Sequence, residues 1–118
     1  MSTPFESRVP AVFVPVRSME RSIEWYSKLL GLPTPDDYNG EMHLFRLGTG
    51  ASLVLQRSDR VRPSPHVLFS LPAPDVDEAH RFLDENGIEV VEITRGADGS
   101  TVQFKDPDGH LLMAGDIW

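Results

Sequence analysis

Phe104-Lys105-Asp106-Pro107-Asp108-Gly109-His110-Leu111-Leu112-Met113-Ala114-Gly115-Asp116 is the stretch on which the architecture turns. Asp106 to Gly109 reads as a tight turn. Proline presets φ at the first central position, an aspartate bonds its own backbone, and glycine takes a conformation that a Cβ forbids. Segments of strand composition flank it, Ser100 to Lys105 and Leu111 to Asp116, so the turn closes a β-hairpin.

Upstream of the hairpin, the same order of elements occurs twice. Val12, Val14 and Val16 alternate within Val9 to Arg17, a strand with one buried face. Ser18 caps a helix carrying Met19, Ile23, Tyr26 and Leu30 on one side, and Gly31 ends it. Pro33 and Pro35 forbid continuation, and a short irregular or edge strand is expected around Tyr38 before the Asn39-Gly40 turn. Strands Glu41 to Leu47 and Ala51 to Arg57 follow, joined by Gly48-Thr49-Gly50. Beyond a polar, proline-bearing linker, Val67, Phe69 and Leu71 alternate as a strand. Asp75 with Glu78 starts a second helix in the manner of a capping box, and Gly87 ends it. Glu89 to Thr94 and the two hairpin strands complete the copy. Val12, Val14 and Val16 superpose on Val67, Phe69 and Leu71 at an offset of 55, and Gly31-Leu32 on Gly87-Ile88 at 56. That period marks an internal duplication.

Composition narrows the chemistry. With no cysteine among 118 residues, disulfides and thiolate metal sites are excluded. Eighteen acidic against 11 basic residues give a formal charge of −7, which repels phosphate backbones and argues against a nucleic-acid partner. No apolar run is long enough for a bilayer, and Met1 to Arg8 lacks the character of a signal peptide, so a soluble cytoplasmic protein is expected. There is no G-x-S-x-G, no glycine-rich phosphate loop and no HExxH. Asp106 and Asp108 are explained by their turn.

A hairpin of the form F-x-D-P-D-G-[NH]-x-[LI]-[EM] closing a chain with such a repeat resembles the vicinal oxygen chelate superfamily. That group includes glyoxalase I, bleomycin-resistance proteins, fosfomycin-resistance enzymes and extradiol dioxygenases. The resemblance covers residues 9–116 and implies an α+β fold: two βαβββ modules forming an open eight-stranded cupped sheet with helices outside. It implies one domain over 1–118, with module one at 9–57, a linker at 58–64 and module two at 65–116. It also implies a homodimer, with no membrane partner, and Trp118 suits a subunit contact.

Members of the family that do chemistry hold one divalent metal through His, Gln or Glu from four strands. Carried over position by position, those sites fall here on Ala11, Val54 (or Gln56 in a register shifted by two), His66 and Met113. Alanine and valine donate nothing, and a thioether is a soft ligand poorly matched to such ions. No metal or other cofactor is therefore expected. The cup would be an apolar receptacle lined by Phe13, Val54, Leu68, Leu111 and Met113, with Arg46, Gln56, His66 and Gln103 as polar anchors. The function this implies is metal-free binding of a small molecule, in the manner of proteins that sequester a toxic or antibiotic compound. His66 is the best candidate for proton transfer, since an imidazole titrates near neutral pH. Two alternatives stand. One is a divalent-metal lyase, isomerase, thiol transferase or dioxygenase with Glu41, His43 and His66 as non-standard ligands, because either face of strand 41–47 could line the cup. The other is an interaction module whose cup is filled by its own side chains.

Overall fold

Ser18 adopts an extended conformation, and its hydroxyl accepts from the Arg21 amide at 3.2 Å. This satisfies one of the donors that a helix start leaves unpaired. The helix it begins, α1 (Met19–Leu30), ends where Gly31 turns left-handed at φ 67° and its N–H reaches back to the last carbonyls. In the computed structural model, residues 2–48 and 50–117 are described. Thr49 of the expected Gly48-Thr49-Gly50 turn and Trp118 lie outside the described residues. Contacts divide the chain into two units, Met1–Arg60 and Val61–Trp118.

In the first unit α1 covers a mixed sheet of three strands: β1 (Ala11–Val16), β2 (Met42–Arg46) and β3 (Ser52–Arg57), in the order β1-β3-β2. β1 runs parallel to β3, and β2 antiparallel to it. Alternation puts Val14, Val16, Leu53, Leu55 and Phe45 on one face, where they are buried with Ile23 and Tyr26 of the helix. The edge strand expected around Tyr38 does not form. Pro33 and Pro35 have no N–H to offer, and the Tyr38 amide goes to its neighbour Asp37 Oδ1. Asn39 Oδ1 then accepts from both Glu41 and Met42 at 2.7 and 3.3 Å. Local side-chain bonds consume the amides a fourth strand would have paired.

The second unit holds β4 (Ser70–Pro72), α2 (Val76–Glu85), β5 (Val90–Gly96), β6 (Gly99–Lys105) and β7 (Leu111–Gly115). Its mixed sheet is ordered β4-β7-β6-β5. Asp75 caps α2, its carboxylate accepting from the Asp77 and Glu78 amides. The strand expected from Val67 is regular only from Ser70. Pro65 cannot donate, and Ser64 Oγ bonds both the N–H and the carbonyl of His66, turning the chain there. Ladder contacts still reach back, with Leu68 N donating to Leu111 O and Met113 N to Phe69 O.

The repeat is visible in the pairing. Each unit opens with a strand that pairs parallel to the last strand of that unit, and this last strand pairs antiparallel to the one before it. The element without a counterpart in the first unit is β5, whose place the Pro33–Gly40 segment fails to fill. The fold is α+β, with two mixed sheets of three and four strands and two helices.

Candidate functional site

In each sheet, one face is covered by a helix and the other carries the candidate residues. In the first unit three cross-strand rows lie on the helix-free face: Ala11–Ser52–Arg46, Phe13–Val54–Leu44 and Pro15–Gln56–Met42. The middle row is wholly apolar. Val54 is buried at its centre, whereas Phe13 and Leu44 beside it are 55% and 45% exposed, and Met42 is 46% exposed. Phe13, Arg46, Val54 and Gln56 thus share one surface, with Ala11 at its margin.

The register also settles the ambiguity of strand 41–47. Met42, Leu44 and Arg46 stand beside Phe13 and Val54, while His43 and Phe45 point to the helix side. There the His43 ring meets Phe45 edge-on, with centroids 4.7 Å apart. Glu41 is held by Arg57 through an ion pair of 3.2 Å. Burial disfavours the charged imidazole and holds the His43 pKa below its ordinary value. The sign follows: the unfolded chain binds the proton more readily, so this contribution to stability is complete above the ordinary imidazole value near 6.5. It is lost as the pH falls from there through the folded-state value. Urea midpoints of the wild-type chain should therefore drop further between pH 7.5 and 5.5 than those of His43→Gln; parallel pH dependence would contradict this.

In the second unit the helix-free face carries the rows Ser70–Met113–Gln103–Glu92 and Pro72–Gly115–Thr101–Thr94, with Leu111 opposite Lys105. Leu68 belongs to this face by alternation. His66 precedes it in an exposed bend. Ser70 Oγ is buried, with no hydrogen-bond partner among the described residues. Gln103, Leu111 and Met113 are therefore brought together. Glu92, absent from the residues expected from sequence, joins them through an irregularity in β5. The doublet Val90-Val91, which breaks the alternation, was the available signal.

Of the four positions at which the resemblance places a metal, only His66 carries a suitable donor, a lone imidazole in an exposed bend, with Gln56 a second in the shifted register. Ala11 and Val54 offer no lone pair, Met113 offers only a thioether, and Glu41 and His43 belong to the opposite face of their strand. Among the described residues, no group of three or more His, Asp or Glu side chains could hold an ion.

Comparison with solved structures places this geometry. The fosfomycin resistance protein FosX from Listeria monocytogenes matches with a TM-score of 0.78 at 15% identity, over 94% of this chain and 93% of that one. A second FosX structure, a mutant complexed with Mn(II) and a dihydroxypropylphosphonic acid, gives 0.76 at 14% identity, covering 95% and 91%. Lactoylglutathione lyase from Agrobacterium tumefaciens gives 0.74 at 20% identity, covering 93% of each chain. No protein of curated function matches the sequence. At these identities the likeness is one of fold. The sequence model of one family spans residues 8–114, nearly everything from the first strand to the closing hairpin. By that match, the duplicated strand–helix–strand units and their closing hairpin belong to the Glyoxalase/Bleomycin resistance protein/Dioxygenase superfamily.

Proposed function

We propose that this protein binds a small organic molecule without a resident metal and sequesters it, in the manner of the bleomycin-resistance branch of its superfamily. In this reading the two modules complete one domain over 1–118, an open cup built from the three- and four-stranded sheets with the helices outside, and the chain works as a cytoplasmic homodimer. The observation that carries the proposal is the helix-free face of each sheet. Where the family's metal ligands would stand, Ala11 and Val54 occupy one such face and Met113 the other. The surroundings are apolar enough to hold an organic body, with Arg46, Gln56 and Gln103 as polar contacts. His66 remains the group best suited to move a proton, should a reaction accompany binding.

Two measurements test this reading. Metal analysis of protein purified without a histidine tag should find well under one equivalent of any transition ion. A stoichiometric ion that is lost in His66→Ala would overturn the metal-free reading. In protein labelled at methionine methyls, binding of small aryl compounds should shift Met42 and Met113, which lie on the helix-free faces, and leave the core residue Met19 in place. Silence at both reporters across a broad fragment set would overturn binding.

A further inference from the structure

We infer that Glu92 is the charged anchor of the helix-free face of the second unit and recognises an organic ammonium group; this rests on the small-molecule-binding reading. The argument begins with a register shift. Val90 stands opposite Phe104, yet Glu92 stands opposite Gln103, so β5 spends two steps where β6 spends one. Phe104 lies on the face under α2, and Gln103 on the face away from it. Without the extra residue, Val91 would fall opposite Gln103. Glu92 would then fall opposite Val102, which is fully buried on the helix side. The bulge reverses that outcome. It leaves Val91 47% exposed and delivers the carboxylate to the row that contains Met113. Bulges re-aim side chains in this way, at a cost in regular pairing.

Three further observations give the row its chemistry. Neighbouring carboxylates are matched, Glu89 with Lys105 and Asp77 with Arg95, whereas Glu92 has no cationic partner among the described residues. Ser70 Oγ, at the other end of the row, is buried and finds no hydrogen-bond partner among the described residues. Between them lie the polarisable thioether of Met113 and the amide of Gln103. At about 4.8 Å between adjacent strands, the row is roughly 14 Å from end to end. It suits a compound with an ammonium head on Glu92, an apolar body across Met113 and a hydrogen-bonding group reaching toward Ser70. A formal charge of −7 draws cations toward the protein as a whole.

The test uses the full chain with labelled methionine methyls and three matched probes: 2-phenylethylamine, 2-phenylethanol and 3-phenylpropanoate. The amine should shift the Met113 methyl with an affinity at least about tenfold above the alcohol, and the carboxylate should bind most weakly. In Glu92→Gln, the amine's preference over the alcohol should fall to about one; an unmoved Met19 methyl certifies the fold. Equal binding of amine and alcohol, or a preference that survives Glu92→Gln, overturns the role of Glu92 and leaves small-molecule binding standing. No shift at Met42 or Met113 with any of the three probes overturns both.

Discussion

Replacing Asp106 with alanine is expected to cost about 3 to 5 kcal/mol of stability, because one carboxylate oxygen organises the closing turn. Asp106 is only 5% exposed, and its Oδ1 accepts from the Asp108 amide at 3.0 Å and the His110 amide at 2.8 Å. Around this centre the backbone closes on itself, Gly109 N donating to Asp106 O and Asp106 N to His110 O. Gly109 supports the turn at φ 86°, a conformation a Cβ would strain. Truncation to alanine removes the acceptor and strands two donors where water cannot readily replace it. Each such donor costs about 1 to 3 kcal/mol. The urea midpoint should fall by on the order of 2 M. Asp106→Asn keeps an oxygen in the Oδ1 position and should recover a large part of the loss. Wild-type stability in the alanine variant would mean that the turn is held by strand pairing alone.

The same turn shows what a single sequence exposes. Asp-Pro-Asp-Gly specifies its conformation through local chemistry, so its geometry needs no knowledge of distant residues. The same holds for Ser18, Gly31 and Asp75, whose capping is decided within a few positions. The repeat was legible because an alternating apolar strand and a helix-ending glycine recur at offsets of 55 and 56. The strand expected at Tyr38 failed for a reason equally local, the capture of amides by Asp37 and Asn39.

The candidate faces were legible only in part. Strict alternation in β1, β3 and β7 assigns Phe13, Val54, Leu111 and Met113 to the face opposite the helix, and the registers agree. Strand 41–47 resists such reading, because Met42-Leu44-Arg46 and Glu41-His43-Phe45 each mix apolar and polar residues. Only pairing with β3 distinguishes them. Glu92 was hidden by a bulge, which shifts parity within a strand. Where the period of two breaks, the residues beyond the break change face, and a polar residue predicted for one side arrives on the other.

Gly115 provides the second large expected effect, and it depends on how closely two strands approach. A Cβ built there would lie 2.8 Å from the Ser100 carbonyl oxygen and 3.0 Å from Thr101 Cγ2. Neither can yield easily. Ser100 O is already engaged by the Asp116 amide, and Thr101 stands directly opposite Gly115 in the β6–β7 ladder. Gly115→Ala must therefore separate the strands beside the row containing Met113, at a cost of about 2 to 3 kcal/mol and roughly 10 °C in Tm. Gly96→Ala is the informative control in the same sheet. There the nearest atom, Gly99 O, would be 3.5 Å away, an ordinary contact, and no left-handed backbone is required. That substitution should leave stability unchanged or raise it by up to about 1 kcal/mol, by restricting the unfolded chain. If the two variants lost stability equally, the loss would come from adding a side chain to a glycine anywhere in the sheet. A loss confined to Gly115→Ala identifies close strand approach as the cause, and the Met113 methyl resonance should move with it.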